Sequence, residues 1–467
     1  MPILPLARAF FLTVPWLLAD ASAQGDAPAD APIVVKGKCY ELHCHGGDEV
    51  LAARALAAVE SVWPLVAKAV SRPDVPPKKL LEVHLYRTIA GYEAAELRLT
   101  KGKFARNLAM IHHASESAHV ALQPPCSDET LRAIGVPGMT LELLAWEATH
   151  LARRSLLGTQ GEHAMWLVDG LGSNVGRASA RQLLAPANEP VPADWPTRDT
   201  AVVRVQQLAK TQKLPPASAI LADRIDDLDM RDRYAARAVF FEMLREPGHE
   251  KALAKVFASV RSTGGGKDYQ ERVLASARTA FGKGLDADFQ TYVAGCRAQW
   301  SETFRSLVPF EGGFQQIAFP DVNAIAWHQQ PVAGGAVRIA GQVRILPGDG
   351  RQMNVLFGRT DAADFCSVAL VADQGFTAFA YRSKSDEWQR LGSGNAPSLR
   401  LGYTSEFVIT ARGDALHVEL DGQHWDLVLP EKLPDQVFWG LGAQAGLEGA
   451  QTGTAGLWTK VTASAPQ

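Results

Sequence analysis

Glu147 and His150 stand three residues apart in the segment Trp146-Glu147-Ala148-Thr149-His150, and Asp169 follows 19 residues after His150 in Trp166-Leu167-Val168-Asp169-Gly170. On a helix, positions i and i+4 lie about 40° apart and share one face. Two imidazoles so placed can hold one divalent metal, with a glutamate after the first polarising the attacking water. A carboxylate on a later helix completes three protein ligands and leaves one open position for water. That chemistry is metal-assisted hydrolysis, with Glu147 as general base and His150 and Asp169 on the metal. Trp146 occupies the position of the first ligand, and an indole N–H is a donor only. Asp169 is one methylene shorter than a glutamate. Two protein ligands fall short of three.

Other residues bear on the same chemistry. His163 precedes the second helix, and His112, His113 and His119 lie in a strand or hairpin ahead of the motif helix, where one of them could approach the site. His43-Cys44-His45, with Cys39 nearby, places two histidines on one strand face and Cys44 on the other. That permits at most a two-histidine site, and a strand edge with a buried cysteine is the simpler expectation. There is no G-x-S-x-G elbow, phosphate-binding loop or dinucleotide fingerprint. Arg412-Gly413-Asp414 falls where a hairpin turn is expected. Trp327, Trp388, Trp425 and Trp439 could stack on sugar rings, and at least two of the four are expected to be buried.

The elements that position these residues follow from periodicity. Residues 33–45 are expected as an opening strand, 48–70 as a helix with apolar residues at helical spacing, 79–87 as a strand and 89–99 as a helix. A strand or hairpin over 110–122 leads to the motif helix near Thr140. After a Pro-rich loop at 185–199, residues 200–305 have helical patterning, broken at Gly264-Gly265-Gly266. From 323 the pattern changes to eight or more short period-2 strands with Gly-rich turns, which argue for a β-sandwich. The fold class is therefore α+β: a small sheet with helices, a helical subdomain, then an all-β jelly-roll sandwich. The expected divisions are 1–23 signal peptide, 24–32 leader, 33–308 first domain (33–185 sheet and motif helices, 200–308 helical), 309–322 linker and 323–467 sandwich.

The 467 residues are 47% hydrophobic and 21% charged, with a net charge of -3, which is globular and gives no basic footprint for nucleic acid. Residues 9–19 form an apolar stretch before the small-x-small site Ala21-Ser22-Ala23, as in a secretory signal, and are too short to span a bilayer. The expected location is secreted or periplasmic, with no stable transmembrane segment. Five cysteines remain after cleavage; an odd number in an exported chain leaves at least one free thiol.

The motif helix, the Trp-Leu-Val-Asp-Gly segment, Trp63-Pro64 and the helical tail resemble the gluzincin (peptidase MA-like) family of zinc metallopeptidases, whose pattern is HExxH followed by W-L-x-E-G, over roughly residues 33–305. The resemblance implies zinc, with Glu147 as base; the substituted positions 146 and 169 point instead to no metal and a pseudoenzyme. Residues 320–463, through Arg412–Gly422 (RGDALHVELDG) and the late Gly-Leu-Gly-Ala-Gln strand, resemble the concanavalin A-like lectin/glucanase (LamG-like) superfamily. A glucanase E-x-D-x-E pattern is absent: Glu419 and Asp421 flank a turn. The leading expectation is an exported pseudo-metallopeptidase that binds a peptide, protein or glycan. The alternatives are an active zinc peptidase with a substituted ligand set and a cell-envelope carbohydrate-binding protein acting through the sandwich.

Overall fold

The computed structural model describes residues 31–466 apart from 104–106, 159–163, 185–195, 263–268, 303–306, 311, 349, 360–363 and 447–449. The signal segment, His163 and Gly264–Gly266 lie outside the described residues. The chain opens with β1 (Ile33–Lys36) and β2 (Tyr40–His45), an antiparallel pair. The single strand expected over 33–45 is thus a hairpin: Gly37 N–H donates to the Tyr40 carbonyl, and Glu60 accepts the amides of Cys39 and Tyr40.

Next come α1 (Glu49–Glu60) and α2 (Val62–Ala69). The Asp48 carboxylate caps α1 on the Leu51 amide at 2.7 Å. Pro64 has no N–H for the Glu60 carbonyl, which accounts for the break at Ser61. Residues Glu49–Ala69 are long and apolar enough to cross a bilayer, yet half of the stretch is buried within the fold. Then follow β3 (Leu81–Tyr86), α3 (Ile89–Thr100), β4 (Ala109–His112), β5 (Ser117–Ala121) and α4 (Asp128–Ile134). The sheet order is β1-β2-β3-β5-β4; β2, β3 and β5 run parallel, and β1 and β4 are antiparallel edges.

The motif helix is α5 (Gly138–Leu157), and α6 (Met165–Leu184) carries Asp169. The helical run follows as α7 (Pro196–Lys210), α8 (Ala217–Leu221), α9 (Met230–Leu244), α10 (Glu250–Ser262), α11 (Tyr269–Phe281) and α12 (Leu285–Gly295). One apolar cluster runs from Cys39 through α1, α2, α5 and α6 to α12 and Val308, so the helical run shares its core with the sheet.

The sandwich strands are β6 (Trp300–Glu302), β7 (Leu307–Phe310), β8 (Gly313–Ile317), β9 (Ala324–His328), β10 (Val332–Ala333), β11 (Ala336–Ile345), β12 (Gln352–Arg359), β13 (Phe365–Val371), β14 (Gly375–Arg382), β15 (Glu387–Gly394), β16 (Thr404–Arg412), β17 (Ala415–Leu420), β18 (Gln423–Val428), β19 (Gln436–Ala443) and β20 (Ala455–Ser464). They form two sheets, β15-β14-β13-β12-β19-β9-β6 with β10 on β19, and β18-β17-β16-β11-β20-β8-β7. A second apolar core lies between them. The tripeptide at 412–414 is the β16–β17 turn, with Gly413 at φ 61°.

The linker expected over 309–322 needs correcting. The end of β7 and all of β8 lie inside it, paired with each other and with β20. This stretch also reaches the motif helix. Pro137 gives α5 no side-chain cap, and the Gln315 amide oxygen accepts the Gly138 N–H instead, at 2.8 Å. A Cβ at Gly138 would lie 2.4 Å from Val308 Cγ1, so only glycine allows β7 this close. The Ser127 and Thr130 hydroxyls, at the start of α4, both donate to the Pro347 carbonyl at 2.9 Å.

Candidate functional site

The close crossing of α5 and α6 sets the geometry at Trp146. A Cβ at Gly172 would lie 3.0 Å from Trp146 Cε2, and one at Gly176 would lie 2.9 Å from the Glu142 carbonyl oxygen. The missing side chains on α6 therefore make the space that the indole fills. Tyr234 of α9 meets the indole edge-on at 6.1 Å, and His150 lies edge-on at 6.3 Å. Trp146 is thus a built part of the helix interface.

Asp169 is buried and engaged. Its Oδ2 accepts from Arg237 Nη1 at 2.6 Å, and the same guanidinium reaches Asp223 through Nη2. Burial lifts the Asp169 carboxyl to about 6, and the Arg237 charge pulls it only part of the way back. Burial, reinforced by Arg153 and His113, pushes His150 down to about 3, so its imidazole is neutral. Glu147 is buried. The Tyr92 hydroxyl is pushed upward, first by burial and next by the Glu147 and Glu96 charges, which puts Glu147 on the side of α3.

The zinc that the resemblance implies does not fit these residues. At the first position stands an indole without a lone pair. At the third, the carboxylate already serves a buried guanidinium. Among the described residues no group of three or more His, Cys, Asp or Glu side chains is disposed to hold a metal ion. Of the histidines considered as substitutes, His113 is the one whose charge reaches His150, and its Nδ1 lies 3.3 Å from Arg154 Nη1. His112 bonds Ser115, and His119 bonds Tyr86 and Ser117.

Glu142, one turn before Trp146, opens onto a cleft of about 290 Å³ that Trp146, Arg177, Thr197, Arg204, Tyr234 and Glu302 help to line. Thr197 Oγ1 lies 3.3 Å from Glu142 Oε1 and 3.5 Å from Glu302 Oε1. Both carboxylates are buried, at 2% and 8% exposure.

The His43 and His45 pair belongs to a larger group. His43, His84 and His119 share one row across β2, β3 and β5. The His84 ring lies 4.4 Å from His119 and 4.7 Å from His43. His45 Nε2 and His84 Nδ1 share a hydrogen bond at 2.9 Å, while Glu41 and Glu82 bond His43 and His84 at 2.9 and 2.7 Å. Cys44 points the other way and is buried, and all five cysteines are free thiols. Each strand showed a histidine in the sequence; only the parallel register brings them into one row.

On the sandwich the four tryptophans part company. Trp327 and Trp439 are buried, and Trp425 packs half-buried against Phe376. Trp388 is 55% exposed. It is the cross-strand partner of Tyr381, which pairs in turn with Phe365. The Trp388 and Tyr381 rings lie 4.8 Å apart, and Trp388 meets Phe365 at 5.7 Å and Phe379 at 6.1 Å. These residues alternate with the core residues Val368, Leu370, Phe376 and Ala378, so they lie on the outer face of the sheet. Asn354, Gln352 and Ser367 are polar positions on that face, joined by the Gln352–Asn354 bond at 2.9 Å and the Ser367–Asn354 bond at 3.5 Å. Of these side chains, sequence reasoning singled out only Trp388.

Neither a scan of family models nor a search of curated proteins finds a match. Solved structures do match part of the chain. A carbohydrate-binding module, CBM66, from Bacillus subtilis has 15% identity and a TM-score of 0.29, covering 35% of this chain and 94% of its own. The metal-free exoplasmic/lumenal domain of VIP36 has 13% identity and a TM-score of 0.27, covering 37% and 93%. Chicken galectin 2 has 15% identity and a TM-score of 0.22, covering 28% and 92%. At such identities and TM-scores, the ligand of this chain has to be argued from its own side chains.

Proposed function

We propose that this chain is an exported glycan-binding protein whose sandwich carries the ligand face, while the zinc-peptidase-like part is a scaffold without a hydrolytic centre. The observation that carries the reading is Trp388, a large aromatic ring 55% exposed on an outward row with Tyr381, Phe365 and Phe379. Exposing an indole this far forgoes burial worth on the order of 2 kcal/mol. The C–H face of a sugar ring recovers that contact by stacking on it, and the half-buried Asn354 and Gln352 on the same face carry amides of the kind that bond sugar hydroxyls. β15 is the edge of its sheet, at the far end from β6, which lies against α7 through Asp199. Trp388 on β15 therefore lies at the sheet edge opposite that contact. The Asp169–Arg237 pair supports the non-catalytic half of the reading.

The test is a glycan array probed with the full chain, followed by titration of the best ligand. Trp388→Ala should weaken binding by roughly 30-fold, the loss of an aromatic anchor worth about 2 kcal/mol. A wild-type chain that binds no glycan, or a Trp388→Ala chain that binds as well as wild type, would sink the proposal.

A further inference from the structure

We infer that His45 and His84 form a two-histidine site for a divalent transition-metal ion, copper(II) bound tightest, on the face of the first sheet turned away from its apolar core. The alternation along β2 and β3 sets the place. Leu42, Cys44, Val83 and Leu85 belong to the main core, so His43, His45, His84 and Tyr86 stand on the opposite face. The parallel register sets His45 beside Tyr86 and His43 beside His84, which makes His45 and His84 diagonal neighbours. Their Nε2 and Nδ1 atoms lie 2.9 Å apart. Two nitrogens each about 2.0–2.1 Å from one ion, and at right angles to each other, stand about 2.9 Å apart as well. Right angles are the tetragonal geometry of copper(II) and nickel(II), and copper(II) stands highest in the order of divalent affinities.

The neighbours decide which lone pairs are on offer. His84 Nε2 bonds Glu82 Oε1 at 2.7 Å, and a carboxylate only accepts. The hydrogen of neutral His84 therefore sits on Nε2, and Nδ1 keeps its lone pair toward His45. Glu82 is placed as the outer carboxylate that orients a metal-binding imidazole and raises its basicity. In the free protein His45 donates from Nε2; moving that hydrogen to Nδ1 frees the second lone pair. The two rings meet end to end, with centroids 5.3 Å apart, so each turns on its side chain to bring both lone pairs to one ion. One hydrogen bond is thereby exchanged for two coordinate bonds. Burial first of all depresses the pKa of both imidazoles, His45 to about 4, so protons do not compete for these nitrogens at neutral pH. His43 is engaged by Glu41, and His119 by Tyr86 and Ser117. Water fills the remaining positions, since the His84 side chain keeps 13% of its surface exposed. With two protein ligands the affinity is micromolar, and the ion is lost on purification.

The probes are Ni²⁺ titrated calorimetrically into the chelator-treated full chain, and Cu²⁺ read by electron paramagnetic resonance. Ni²⁺ should bind with a micromolar Kd, and the copper spectrum should show two imidazole nitrogens. His45→Ala and His84→Ala should each weaken Ni²⁺ binding at least tenfold, and Glu82→Gln about tenfold through the lost outer carboxylate. His112→Ala, on the neighbouring β4, should change nothing. The inference is overturned if Ni²⁺ does not bind even at millimolar concentration, if the copper spectrum shows no nitrogen ligand, or if folded His84→Ala keeps full affinity. Should His84→Ala not fold, His45→Ala is the deciding variant, and undiminished affinity there overturns it equally.

Discussion

Arg237 reaches Asp169 and Asp223 at once, and this fork decides more about the motif than the indole at position 146 does. An indole where the resemblance implies a histidine would leave a metal site one ligand short. A buried guanidinium on the remaining carboxylate gives that carboxylate a different task. Trp146→His should therefore not recruit stoichiometric zinc, and metal analysis of the purified variant should find well under one zinc per chain. Asp169→Ala should destabilise the fold by about 3 kcal/mol, because it strips one of two carboxylates from a buried cation; urea melts measure this. The histidines predict a pH dependence. The folded-state values of His45, His119 and His150 are depressed to about 4, 3 and 3, in each case first by burial. The unfolded chain then takes up protons first, so this contribution is complete above about pH 6.5 and is lost as pH falls toward 4 and 3. Asp169 works in the opposite sense: its raised value favours the fold on the acid side and that gain is lost as pH rises through about 6. Three groups outweigh one. Urea stability should fall by a few kcal/mol in order of magnitude between pH 7 and pH 4.

α5 and α6 were legible as helices from their apolar spacing, and the motif letters placed Glu147 and His150 on one of them. Their approach was not legible. Gly172 and Gly176 in α6 are ordinary letters until the crossing shows Trp146 and the Glu142 carbonyl lying against them. Gly176→Ala meets backbone, which yields less readily than a side chain, and should cost about 1–3 kcal/mol. Gly172→Ala meets the Trp146 ring and should alter the environment of that indole. Thermal melts, with indole fluorescence for Gly172→Ala, read both. The histidine row was partly legible too: His43 and His45 were visible as a pair, but His84 and His119 joined them only through the parallel pairing of β2, β3 and β5.

Across the whole molecule, the sandwich and the helical part meet through backbone and polar groups at defined points. Gln315 of β8 caps α5, Pro347 takes the hydroxyls of Ser127 and Thr130, and Asp199 of α7 accepts the amides of Gln299 and Trp300. Residues 300–310 contribute β6 and β7 to the two sheets, one edge strand each. A fragment beginning at 311 should therefore be less stable than one beginning at 299, with a lower Tm by scanning calorimetry. Equal Tm values would mean that these edges contribute nothing to the sandwich.

The fold class, the switch from helical to strand patterning, the helix that carries Trp146, Glu147 and His150, and the presence at position 146 of an indole that cannot ligate a metal were all determined by the sequence, because periodicity and side-chain chemistry are local properties. Only the tertiary structure decided that Asp169 faces Arg237, that Trp388 is the exposed member of the four tryptophans, that Glu142 and Glu302 share a cleft, and that residues 309–317 are strand. Each depends on which distant residue arrives opposite. That is fixed by register and by helix crossing, to which a local pattern of letters is blind.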